Sequence, residues 1–147
     1  MHSPGNPGST GSVLRRRRSK IAVDTALLVG FLTEFITREG PDYGVHSWVG
    51  ILLVPVIALH LLGNAAWIRR VTARGRTDRE FALAVLNAVL GLLTAVCIVT
   101  GFPIWLEWSD AGVWPITHTI TGFLCIILMF MHLWRNRSRI GQLAAVR

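Results

Sequence analysis

Residues 46–60 read HSWVGILLVPVIALH and residues 118–132 read HTITGFLCIILMFMH. Each segment begins and ends on a histidine, places a glycine four residues after the first one, and contains no Asp, Glu, Lys or Arg. The charge-free stretches around them reach from Val45 to Ile68 and from Ala111 to Trp134, and a third runs from Phe81 to Leu106. All three exceed the roughly 20 residues that cross a bilayer core. A fourth apolar stretch, Ile21 to Thr37, is interrupted by Asp24 near its start and Glu34 near its end. Counting it as a span gives four helices, because a backbone in lipid must satisfy its own hydrogen bonds.

Composition agrees with that reading. Of 147 residues 52% are apolar and 16% charged, with a mean hydropathy of +0.49; a soluble domain carries roughly 25% charged residues. Two cysteines, with no C-x-x-C pair and no C-x-x-C-H, exclude a disulfide framework, a zinc ribbon and covalently attached c-type haem. Cys97 and Cys125 read instead as small apolar residues inside helices.

The net charge of +7 is explained by its placement. Arg15 to Lys20 precede the first stretch, Arg69 to Arg79 separate the second from the third, and Arg135, Arg137, Arg139 and Arg147 follow the fourth. Of fifteen basic residues only Arg38 falls on the opposite side, so both termini are expected in the cytoplasm. No nucleic acid is needed to account for the basic runs. Trp105, Trp108 and Trp114 mark the outer face, and Trp67 and Trp134 the inner one, as an aromatic belt would. The first stretch lacks a small-x-small cleavage site after it, so it is expected to be retained. The expected organisation is a disordered basic tail over residues 1–20, a membrane domain over 21–137 and a cytoplasmic tail over 138–147.

The chain looks internally duplicated. Asp24 and Thr37 match Asn87 and Thr100 at an offset of 63, and His46, Gly50 and His60 match His118, Gly122 and His132 at an offset of 72. The expected fold is therefore an all-α four-transmembrane-helix bundle made of two duplicated helix pairs, the longer outer loop of the second absorbing the difference.

Fourteen helical steps turn through about 1400°, roughly 40° short of four turns, so both histidines of a segment face the same way, about 21 Å apart along the axis. The second and fourth spans would run parallel, setting His46 opposite His118 at the outer level and His60 opposite His132 at the inner one. One intramembrane histidine can simply hydrogen-bond across helices. Four at matched spacing ask for more, because polar residues in lipid are costly unless used. Zinc wants three or four protein ligands, and two facing histidines supply too few. Haem iron needs only two axial ligands, which they complete. Gly50 and Gly122 would let a flat macrocycle approach the backbone, or would serve close helix packing. Pro55 should kink the second span. Asp24 and Asn87 could orient a ligating imidazole or cap a helix start, and Arg38 could meet a haem propionate or pair with Glu34.

With His46-x13-His60, His118-x13-His132 and Thr100-Gly101 in view, the chain resembles the four-helix di-haem b-type membrane cytochromes, most closely the flavinylation-associated cytochrome domain family, formerly a domain of unknown function. The likeness covers nearly everything after residue 20, but Thr37-Arg38 stands where the second half has Thr100-Gly101. It implies two non-covalent b-type haems, with irons held by His46 and His118 and by His60 and His132, and electron transfer between a quinone pool and a separate redox partner carrying flavin or metal. The outer loops, Arg38 to Gly44 and Phe102 to Trp114, contain no cysteine, histidine or phosphate-binding glycine motif, so the chain is expected to relay electrons rather than catalyse chemistry itself. Competing functions are a transmembrane ferric or flavin reductase and a haem-free small transporter or assembly subunit. The predominance of arginine over lysine points to a bacterial plasma membrane. A reporter active only outside the cytoplasm should be silent when fused after Arg147 and active when inserted near Asp110; the reverse pattern would invert the topology.

Overall fold

The computed structural model describes residues 7–39, 43–107 and 112–145. These form five α-helices, α1 (Pro7–Ile36), α2 (Tyr43–Gly63), α3 (Ala65–Arg74), α4 (Phe81–Trp105) and α5 (Val113–Ala145), with a single 3₁₀ turn over Gly75–Thr77. No strand occurs among the described residues. Three helical segments, Gly44–Gly63, Phe81–Trp105 and Val113–Ser138, are long and apolar enough to cross a membrane, which makes this an integral membrane protein. The α1 stretch that carries Asp24 and Glu34 is helical but is not one of the three.

Two boundaries differ from the sequence reading. Helix α1 starts at Pro7 rather than near Ile21, so the basic run of residues 15–20 is helical instead of a disordered tail, and α5 runs on to Ala145 through the expected C-terminal tail. Arginine is a good helix former, and proline is well suited to a first helical position. Residues 1–6 of the expected tail lie outside the described residues.

The chain divides into two compact units, Met1–Ala66 and Trp67–Arg147. In the first, α1 packs on α2; in the second, α4 packs on α5. Each pair is an antiparallel hairpin, as contacts in reversed order show. In the first unit Glu34 meets His46, Leu53 lies beside Gly30, and Asp24 meets His60. In the second, Cys97 meets His118, Thr94 meets Cys125, and Asn87 meets His132.

The expected second span, Val45 to Ile68, is interrupted. Helix α2 continues through Pro55 and stops at Gly63, where Asn64 turns its side-chain amide back to donate to the His60 carbonyl at 2.9 Å. Asparagine and glycine are poor helix formers, and the Asn side chain competes for the carbonyl that the helix would use. Helix α3 then carries Arg69, Arg70 and Arg74 while burying Val71. Its fold onto the start of α4 is held by polar contacts. Trp67 Nε1 donates to Glu80 at 2.6 Å, Arg70 bonds Glu80 and lies 3.5 Å from the buried carboxylate of Asp78, and Asp78 accepts from the Glu80 backbone N–H at 2.9 Å.

Close packing in the first hairpin depends on Gly30. A methyl group there would run into the side chain of Leu53, which is buried. Replacing Gly30 with Val should destabilise the protein by about 1–3 kcal/mol through overpacking. The double variant with Leu53→Ala should recover part of that loss in thermal unfolding in detergent; strictly additive losses would show that the two residues do not meet.

Candidate functional site

The four histidines share one arrangement within their own hairpins. His46 Nδ1–H donates to the Glu34 carbonyl at 3.0 Å, with Glu34 Oε2 at 3.1 Å. His118 Nδ1–H donates to the Cys97 carbonyl at 2.8 Å. His60 Nδ1 meets Asp24 Oδ1 at 2.7 Å, and His132 Nδ1 meets Asn87 Oδ1 at 2.7 Å. Both histidines of α2 thus face α1 and both of α5 face α4, as their fourteen-step spacing requires.

The oxygens belong to equivalent positions. Asp24 and Asn87 are related by the offset of 63 that relates Thr37 to Thr100, and so are Glu34 and Cys97. Thr37 and Thr100 also behave alike, each hydroxyl donating to the carbonyl four residues earlier at 2.8 Å. On the histidine side, Asn64 and Asn136 stand four residues after His60 and His132, and each amide donates to that histidine's carbonyl at 2.9 Å. The two hairpins therefore share a hydrogen-bond register as well as a spacing.

These bonds choose a tautomer. A carbonyl or carboxylate oxygen can only accept, so Nδ1 carries the hydrogen at His46, His60 and His118, and an imidazole in that tautomer offers its electron pair at Nε2. That is the nitrogen a haem iron would take, with the oxygen behind the ring holding its orientation. His132 Nδ1 meets Asn87 Oδ1 at 2.7 Å and the Asn136 amide at 3.5 Å. Each hairpin presents two imidazoles, a donor type that haem iron accepts. Around His60 the Asn64 amide also lies 3.4 Å from Nε2, a long contact beside its 2.9 Å bond to the carbonyl. No group of three or more His, Cys, Asp or Glu gathers as a bare metal site among the described residues. Hydrogen bonds between membrane helices average about 0.6 kcal/mol, so four contribute only about 2 kcal/mol. Their value lies more in fixing ring orientation than in stabilising the hairpins.

The candidate glycines face the same inter-helix seams. A methyl group on Gly50 would lie 3.6 Å from Glu34 Oε2, and one on Gly122 would lie 3.8 Å from Cys97 Sγ. Residues 34 and 97 are related by the offset of 63, and both distances are ordinary van der Waals contacts, placing the two glycines in helix packing one turn after His46 and His118. Gly101 is tighter, with its methyl position 3.0 Å from His118 Cε1. Arg38, its counterpart in the first half, donates to Glu39 at 3.1 Å and to the Phe35 carbonyl at 3.0 Å, and stacks its guanidinium 4.2 Å from the Phe35 ring centre. Both cysteines are free thiols, and Cys125 is buried against Thr94.

The sequence reading singled out Asp24 and Asn87 but not the other partners. Asn64 and Asn136 were legible, since extending the offset of 72 by four residues reaches identical residues. Glu34 and Cys97 were hidden because the shared acceptor is a backbone carbonyl, which has no side-chain signature. No family model matches the chain, and no curated protein or solved structure does. Nitrogen NMR of labelled, haem-free protein should find His46 and His118 in the Nδ1–H tautomer; the Nε2–H form at either would contradict the hydrogen bonds to the carbonyls.

Proposed function

We propose that this chain is a transmembrane electron-transfer cytochrome, with His46 and His118 holding one b-type haem and His60 and His132 a second. The observation that supports this best is that Nδ1 of each of the four histidines meets an oxygen, at positions of α1 and α4 related by one offset of 63. The resemblance to di-haem membrane cytochromes agrees with it. In this reading the α1 stretch from Ile21 to Thr37 serves as the first of four spans. Its two polar side chains, Asp24 and Glu34, are paired to histidines of α2, which lowers the cost of holding them in an apolar helix.

A bound b-type haem supplies one-electron oxidation and reduction of iron. The four histidines would hold its iron, and the oxygens of Asp24, Glu34, Asn87 and Cys97 would hold their rings. An iron held by histidines alone would supply electron transfer rather than chemistry on a bound substrate. The proposed exchange is between a quinone pool and a separate redox protein that docks at the membrane surface.

Pyridine haemochrome analysis should find two haem b per polypeptide. His46→Ala and His118→Ala should remove one spectral component, and His60→Ala and His132→Ala the other. One haem or none per chain would overturn the di-haem reading, and loss of the same component from His46→Ala and His60→Ala would overturn the pairing by depth. Absence of reducible b-type bands in the membrane-purified protein would favour a haem-free transporter or assembly subunit.

A further inference from the structure

The duplicated hairpins differ in charge where they touch the histidines. In α1 the residues behind His60 and His46 are Asp24 and Glu34; at the equivalent positions in α4 they are Asn87 and Cys97. The geometry does not differ in parallel. Asp24 Oδ1 and Asn87 Oδ1 each lie 2.7 Å from the Nδ1 of their histidine, so one hydrogen bond is made twice, once to a carboxylate and once to a neutral amide. At the outer level the carbonyls of residues 34 and 97 accept in the same way, and Glu34 adds its carboxylate at 3.1 Å.

We propose that Asp24 and Glu34 are potential-setting residues: each places a carboxylate behind one axial histidine of a haem, and so favours the oxidised iron, while the opposite histidine is held by a neutral group. This rests on the di-haem reading above. The physical reason is twofold. An imidazole whose Nδ1–H donates to an anion gains imidazolate character and becomes a stronger donor through Nε2. Ferric iron in a porphyrin dianion also carries one net positive charge that the ferrous form lacks, and a nearby anion in a low-dielectric site stabilises the charged form. Both effects act in the same direction. Holding the ring cannot by itself explain the carboxylate, because Asn87 does so at the same distance without a charge.

The structure thus supplies its own control substitution. Asp24→Asn installs the residue found at the equivalent position, retaining an oxygen acceptor and removing the charge, and Asn87→Asp does the reverse. In potentiometric titrations of the purified haem-loaded protein at one fixed pH, Asp24→Asn should keep two haems and raise the midpoint potential of the component that His60→Ala removes. Asn87→Asp should lower the midpoint of that same component. Glu34→Gln should raise the component that His46→Ala removes and leave the other nearly unchanged. Full haem content with unmoved midpoints in Asp24→Asn and Asn87→Asp would overturn the proposal while leaving the di-haem reading intact. Should Asp24→Asn lose haem, Asn87→Asp decides: a lowered midpoint supports the proposal and an unchanged one overturns it. A wild-type protein that binds no haem would instead remove the reading on which the proposal rests.

Discussion

A polar side chain among apolar helices has few places to go. Lipid offers no hydrogen bonds, so a histidine there must find an oxygen within the protein. In each hairpin two histidines on the second helix meet oxygens of two residues on the first, and two such contacts at different depths permit one antiparallel register. Sliding either pair by a single helical position would break both contacts at once. The same register brings Gly30 against Leu53 in one hairpin and Gly101 against His118 in the other, close approaches that larger residues would prevent. Polar pairing and small-residue packing thus converge on one alignment, though neither is energetically large alone.

That alignment also separates what the two hairpins share from what each has specialised. Shared are the four Nδ1 contacts, the threonines that bond back along α1 and α4, and the asparagines four residues after His60 and His132. Changed are the groups that carry charge. The side-chain acceptor changes from the carboxylate of Asp24 to the amide of Asn87 at one distance, whereas at residues 34 and 97 the backbone carbonyl accepts whatever the side chain. The proposed tuning of two irons uses that difference: the ligands stay alike and the electrostatic surroundings do not.

Much of this was legible in the sequence because it rests on period and composition. Charge-free stretches located α2, α4 and α5, and the offsets of 63 and 72 located the hairpin partners Asp24 and Asn87. Helix ends were harder. Nothing in an apolar window shows that Asn64 will take the His60 carbonyl and stop α2 at Gly63, or that Trp67, Arg70, Asp78 and Glu80 will fold α3 onto the start of α4. A run of arginines reads equally as a tail or as the exposed start of a helix, and only the continuous α1 backbone distinguishes them. Glu34 illustrates a different limit: its charge invited pairing with Arg38 one turn away, whereas its carbonyl and carboxylate both approach His46 across the hairpin.

The two hairpins differ in how they seat His46 and His118. Gly101 leaves room for the His118 ring, and the neighbouring position on the seam is held by the small side chain of Cys97, whose Sγ lies 3.6 Å from His118 Nδ1. The first hairpin has Arg38 in place of Gly101, so the same close approach could not be made there by a backbone without a side chain. Its guanidinium instead turns away to the Phe35 carbonyl and ring and to Glu39. His46 is then held by the longer Glu34 through two oxygens rather than by packing against a glycine. Glu34 and Arg38 thus stand on one hairpin where Cys97 and Gly101 stand on the other, and the two histidines are seated differently: His46 against two oxygens of one residue, His118 against a carbonyl, a thiol and a glycine.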